Sequence, residues 1–284
     1  MRETVKSIKS TFLNLPLSKG KSFGKPLIYN IMRKLFISFL GIIMLFGCSS
    51  NNPIDTPTVP TTFVFPKSVD IKRNVIVETY NIAYFGNKID KIVSGSYKQV
   101  FTYTGNLITK IDGFDGSNKQ YSEEFIYQSN KLKESIYIEY TNNVISSKYK
   151  STYDYITTNA VDVKNYEVNI ATGIETYYNT EKRTFFNGNI TKLEGGWENS
   201  VRSYEYDTNA SPFKNVLGFD MLVVSNLILV DYNYINVCAN NVIKEVSTGI
   251  NNNYTLLTTN FYSTNGNLIE AVKSSVNSNA KFNY

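Results

Sequence analysis

From about residue 62 to Tyr284, apolar and polar residues alternate one by one over short runs, and Asn, Gly and Ser separate the runs. Alternation marks strands with one wet and one buried face, whereas a helix needs apolar residues three and four apart. In "STYDYITT", Tyr153 and Tyr155 share one face while Thr152 and Asp154 take the other. In "SYEYD", Tyr204 and Tyr206 oppose Glu205 and Asp207. A parallel sheet covered on both sides would give unbroken apolar runs, so the pattern predicts an antiparallel sheet with its aromatic face inward.

The runs also repeat. "YFGNKIDKI" (84–92), "YTGNLITKI" (103–111), "YQSNKLKES" (127–135), "FNGNITKLE" (186–194) and "YSTNGNLIEAV" (262–272) each set an aromatic residue before a small residue and Asn, with an apolar residue soon after. Gly and Asn tolerate the positive φ of tight hairpins, so each unit reads as strand, turn, strand. A meander of this length must curl, because twisted open sheets rarely exceed about ten strands. The expected fold is all-β: an antiparallel meander of repeated hairpins curling into a barrel or half-barrel. "PFKNVLGFDMLVVSNLILV" (212–230) breaks the rhythm and is too short to span a bilayer. It reads as a segment packed against the barrel interior or across one end, in strand or short helical form.

The N-terminal part follows other rules. "MRKLFISFLGIIMLFGCSS" starts at Met32, and its apolar run from Leu35 to Phe46 is about 12 residues long, against roughly 20 needed for a helical span. A positive flank (Arg33, Lys34), an apolar segment and a small residue at a cut point are the layout of a secretory signal. Leu45, Phe46, Gly47 and Cys48 resemble the bacterial lipobox, which implies cleavage between Gly47 and Cys48 and acylation of the Cys48 thiol. The divisions expected are an upstream extension over 1–31, a lipoprotein signal peptide over 32–47, a Pro- and Asn-rich tether over 48–61, and a single β-meander domain over 62–284. The membrane partner is then reached through an N-terminal lipid, at the outer membrane. No acidic run follows Cys48, which favours the periplasmic face over the cell surface.

Charge changes the picture once the signal is set aside. The chain holds 29 basic and 24 acidic residues; eight and one of them precede Cys48, leaving 21 and 23, a net charge of about −2. The basic balance belongs to the signal region, and no clustered basic footprint for nucleic acid remains. With Cys48 carrying lipid, Cys238 has no disulfide partner, and it reads as a small apolar residue on a strand.

The hairpin units resemble degenerate YD repeats of Rhs-type shell proteins, with the YD pair itself kept at Tyr153–Asp154 and Tyr206–Asp207. "YEYDTNASPFKN" with "ANNVIKEV" resembles a family of bacterial lipoproteins described as domains of unknown function with a porin-like fold (the DUF4595 type). The resemblance covers most of the chain after the signal. It implies a curved antiparallel barrel and brings no activity and no catalytic residues.

The chain contains no histidine, which removes Ser-His-Asp and Cys-His nucleophile systems and imidazole metal sites. A carboxylate pair can hydrolyse a glycosidic bond without histidine; Glu123, Glu124, Asp154, Glu194 and Glu198 are the acids available, and the simpler reading places them on the solvent face of strands and turns. "DGFDGSN" (112–118) has Phe114 where a calcium loop needs an oxygen ligand, so Asp115–Gly116 reads as a hairpin turn. Trp197, beside Gly195 and Gly196, is the one candidate for stacking on a sugar ring, and cross-strand pairing accounts for the tyrosines. No cofactor and no metal is expected. The leading functional reading is a non-catalytic envelope lipoprotein that binds a glycan or envelope protein or shapes the envelope. A histidine-free glycan hydrolase and a barrel within the outer membrane, suggested by the alternation of Ala280, Phe282 and Tyr284, are the alternatives. Oligomeric state is left open.

Overall fold

A computed structural model describes residues 63–196, 200–225, 235, 237–249 and 253–284. Among them sixteen strands follow one another: β1 (Ser68–Arg73), β2 (Ile76–Phe85), β3 (Lys88–Ser94), β4 (Tyr97–Thr104), β5 (Leu107–Asp115), β6 (Asn118–Gln128), β7 (Lys131–Thr141), β8 (Val144–Thr157), β9 (Ala160–Val168), β10 (Glu175–Phe186), β11 (Asn189–Gly195), β12 (Ser200–Ala210), β13 (Asn240–Thr248), β14 (Tyr254–Tyr262), β15 (Leu268–Lys273) and β16 (Ser278–Asn283). Each pairs antiparallel with the next, and β1 pairs with β16, Ser68 opposite Asn283 and Arg73 opposite Ser278. The expected meander therefore closes into a barrel, and the half-barrel alternative falls away.

Tight loops produce this regularity. Two residues link β2 to β3, β4 to β5, β6 to β7 and β10 to β11. The 129–130 loop holds both Ser129 and Asn130 at positive φ, 52° and 58°, as the mirror-image turns that match strand twist require. All five repeat units have their loop at the same end of the barrel. Asp115–Gly116 falls at the β5–β6 turn as read, at the opposite end.

A second regularity lies just inside the repeat loops. Seven even-numbered strands carry an inward aromatic near that end, Tyr84, Tyr103, Tyr127, Tyr155, Phe185, Tyr206 and Tyr262, and Tyr284 follows β16. Beside most of them the register slips by one residue, for example between Ala83 and Tyr84 and between Ile126 and Tyr127. Such bulges bend a strand and increase its local twist, which a closing sheet needs. The hydroxyls are used. Tyr84 donates to the Pro66 carbonyl at 3.0 Å, Tyr127 to Ile108 at 2.8 Å, Tyr206 to Ile190 at 2.7 Å and Tyr284 to Leu268 at 3.0 Å. Through these four hydroxyls the ring ties neighbouring segments together on the inside.

A sixteen-strand barrel is too wide for its own side chains to fill. The insert between β12 and β13 fills one end. Its described residues are 211–225, 235 and 237–239, and they include the single-turn helix α1 (Phe219–Leu222). Phe213, Val216, Phe219 and Leu222 are buried in one core with Ile89, Ile108, Leu132 and Val161. Each such side chain contributes about 1.5–3 kcal/mol by leaving water. Gly218, ahead of α1, has φ 85°, and a Cβ there would sit 3.0 Å from the Asn106 carbonyl and the Ile108 nitrogen. No other residue meets both demands at that close approach. The segment read as packing on the interior or across one end does so as far as it is described. Cys238 departs from its reading: it is buried, but in the bend before β13 rather than on a strand.

Candidate functional site

The barrel has a plugged end and a far end, and register decides which side chains enter the lumen between them. Inward positions of β6 to β9 near the plug are apolar or aromatic: Phe125, Leu132, Tyr153, Val161 and Val163. Farther out on the same strands the inward positions turn polar. Tyr121 lies opposite Glu139 and Glu123 opposite Tyr137, while Tyr149 lies between Tyr137 and Glu167. Glu139, Tyr137 and Tyr149 are half-buried and Glu167 is exposed, so water reaches this half.

Between the two zones runs a row of neutral polar groups already bonded to one another. Ser151 donates to Asn165 at 2.7 Å, Asn165 to Asn179 at 2.7 Å, and Ser135 lies 2.9 Å from the Tyr153 hydroxyl. Bonded in this way, most of them are tolerated at a buried level; the Asn179 Nδ2 is buried without a partner among the described residues.

The tyrosine rings form a row along one wall. Tyr121 and Tyr137 have ring centroids 5.6 Å apart, and Tyr137 and Tyr149 6.4 Å. Gly113 makes room for the first ring: a Cβ at that position would land inside the Tyr121 ring. The Tyr121 hydroxyl is held by Tyr97 at 3.2 Å and by the fully buried Gln99 amide. Burial pushes the Tyr121 and Tyr137 hydroxyls well above the ordinary tyrosine range, so both are neutral donors at physiological pH.

The adjoining wall, from β10 onward, is built on ion pairs. Arg183 donates to Glu181 at 2.7 Å, and through Nη1 to the carbonyls of Val224, at 2.8 Å, and Ser225. It thereby pins the insert beyond α1 to β10, in a setting where Arg183 and Glu181 are both nearly fully buried. Arg202 lies 3.7 Å from Glu181, and Tyr254 donates to Glu245 at 2.8 Å. Lys273 is buried on the same side, and burial lowers its pKa.

The outer surface has a different chemistry. Asp112 meets Lys119 at 2.6 Å, Asp154 meets Lys164 at 2.8 Å, Glu175 meets Lys150 at 3.0 Å and Glu205 meets Lys244 at 2.7 Å. The Lys164 hydrogen bond holds the Asp154 carboxyl below its usual range.

The acids singled out from the sequence separate accordingly. Glu123 enters the lumen, while Glu124, Asp154 and Glu194 face outward beside Lys110, Lys164 and Lys192. Glu198 and Trp197 lie outside the described residues, as do Gly47 and Cys48. Asp207, read as facing solvent, instead accepts from Asn241, Asn260 and the Tyr262 hydroxyl, because the register slips between Glu205 and Tyr206 and again before Ala210. Sequence reading missed Glu139, Glu181, Arg183, Arg202 and Glu245. Their alternation was visible, but only pairing across the barrel shows which acids share a wall.

No protein-family profile and no curated protein matches the chain. Among solved structures it is similar to a porin-like protein from Bacteroides vulgatus, with a TM-score of 0.51 and 12% identity over 77% of this chain and 98% of that one. At that identity the likeness extends to the barrel fold alone.

Proposed function

We propose that this protein is a non-catalytic cell-envelope lipoprotein, tethered through Cys48, whose barrel stands in water and binds a ligand in the far half of its lumen. The observation that carries the reading is the division of side chains between the two faces of one wall. Outside, lysines and carboxylates pair along β5 to β13; inside lie tyrosines and a wet polar chamber. A lipid-facing band must be apolar, and a charge at its centre costs up to about 2–4 kcal/mol. Outward Lys150, Lys164 and Asp154 are poorly suited to that role, and they suit an aqueous compartment. Acyl chains on Cys48 would supply membrane attachment, each buried methylene contributing about 0.8 kcal/mol.

The test is a fractionation. Wild-type protein should follow membranes, and Cys48→Ala should move it to the soluble fraction as a folded, detergent-free species. A Cys48→Ala protein that still needs detergent would overturn the reading.

The closed topology and the porin-like neighbour favour a second reading, a barrel inserted in the outer membrane. It predicts that the same variant stays in the membrane and resists carbonate extraction.

A further inference from the structure

The chain enters the barrel at the plugged end. There the Lys67 amide donates to the Asn283 carbonyl at 2.6 Å, Tyr84 holds the Pro66 carbonyl, and Phe65 stacks on the Tyr84 ring with centroids 5.0 Å apart. Cys48 stands fifteen positions before Phe63, and a stretch of that length spans at most about 50 Å. The ten residues of β2, rising about 3.3 Å each and tilted by about 40°, measure about 25 Å along the barrel axis. To set the far end against a bilayer holding the Cys48 lipid, the stretch would have to run back along the whole wall and use half its reach. The plugged end needs none of it.

The rim at that end is also suited to lipid. The residue after each inward ring turns to solvent there, and Phe85, Thr104, Gln128, Ile156 and Phe186 are all exposed. Three of the five are large and apolar: Phe85 is 84% exposed, Ile156 57% and Phe186 63%. Lysines stand beside them. Lys88, opposite Phe85 in the register, carries its ammonium to the Gly105 carbonyl of the next loop at 2.7 Å and over the Tyr103 ring. The Lys131 ammonium lies 4.7 Å from the centre of the Tyr155 ring. On the insert, exposed Lys214 and Asp220 offset one another. The far end also exposes apolar side chains, at Val75, Val144, Ile174 and Tyr177, but among the described residues the largely exposed phenylalanines, Phe63, Phe85, Phe186 and Phe261, all lie at the plugged end. Apolar rings with ammonium groups on flexible stems among them fit the boundary between acyl chains and headgroups. A short tether holds this end at a high effective concentration beside the bilayer, so weak contacts suffice.

We propose that the plugged end is a membrane-docking surface: its rim of Phe63, Phe85, Ile156 and Phe186, with Lys88 and Lys131, rests in the interfacial layer of the bilayer that holds the Cys48 lipid. The far mouth then opens away from that bilayer. The proposal rests on the reading of the chain as a tethered lipoprotein and adds which face meets the lipid.

The test is depth-sensitive quenching on the membrane-held protein. Gln128→Cys at the plugged rim and Thr141→Cys at the far end, each in a Cys238→Ser background, would carry a fluorophore in vesicles of phosphatidylethanolamine and phosphatidylglycerol with a headgroup nitroxide. Quenching at 128 and none at 141 is expected. Replacing Phe85 and Phe186 together by Asn should lower the quenching at 128 about threefold or more and leave the melting temperature unchanged, since both rings are exposed. Quenching at 141 alone, at neither position, or undiminished at 128 in the Asn variant overturns the docking surface. Where Cys48→Ala still releases the protein, such a result leaves the tethered reading standing. Quenching at both ends, with Cys48→Ala retained in the membrane, overturns both.

Discussion

The plugged end and the far end of this barrel are built from the same strands, yet they solve the same problem in opposite ways. A wide lumen leaves inward side chains without neighbours. At the plugged end the chain supplies neighbours by threading Phe213, Phe219 and Leu222 into the opening, and the aromatic ring ties neighbouring segments together around them. At the far end the inward side chains include Tyr, Glu, Ser and Asn, several of them bonded to one another. Stability is thus concentrated at one end, which leaves the other free to present polar groups. Arg183 joins the two zones, reaching from β10 to the insert carbonyls while bonded to Glu181.

Base should break the comparison most completely, because the plugged end depends on neutral tyrosines. Burial raises the hydroxyls of Tyr103 and Tyr284 from 10.0 to about 12, and it raises Tyr84, Tyr127 and Tyr206 further. The folded protein therefore holds these protons more tightly than the unfolded chain. The stability this provides is complete below about pH 10 and is lost as pH rises through about 12 and beyond. Circular dichroism should report loss of the barrel above pH 10, coincident with the last, buried fraction of the tyrosinate absorbance. Complete ionisation of the tyrosines with the barrel still intact would show that the ring is not structural.

Arg183→Met should come next, costing about 3–5 kcal/mol in denaturant titrations, since it leaves Glu181 buried with its nearest partner gone and removes the donor to two carbonyls. The double change Glu181→Leu with Arg183→Met should recover much of that loss. A cost below 1 kcal/mol for the single change would mean the insert is not held from β10. Gly113→Ala sharpens the contrast from the far end: forcing a methyl into the Tyr121 ring should cost about 1–3 kcal/mol, and the cost should shrink in a Tyr121→Leu background. Smallest is Asp154→Asn. The carboxylate is partly exposed and its lysine pairs are open to solvent, so a loss under about 1 kcal/mol, screened by salt, is expected from equilibrium unfolding.

Much of the plugged end was legible in the chain. An aromatic residue, a small residue and Asn recur because each hairpin needs an inward ring, a residue tolerant of positive φ and a turn, and all three demands fall within a few positions. Closure was not legible. Pairing of Ser68–Arg73 with Ser278–Asn283 joins segments more than 200 residues apart, and no local period encodes it. The polar lumen of the far end was not legible, because the alternation predicted an aromatic inner face with the acids outside. Glu123 and Glu124 are neighbours with opposite fates, one in the lumen and one beside Lys110, and each one-residue bulge reverses such an assignment. Asp207 was misplaced for that reason.

Thiol labelling tests the central claim most directly. Single cysteines at Lys150, Tyr137 and Leu132, in a Cys238→Ser background, would be exposed to a charged, membrane-impermeant maleimide in permeabilised cells. The account predicts fast labelling at 150 on the water-facing outer wall, slower but complete labelling at 137 through the far end, and none at 132 behind the insert. Protection at 150 with free labelling at 132 would mean that lipid covers the outside and water fills the plugged end, and would contradict it.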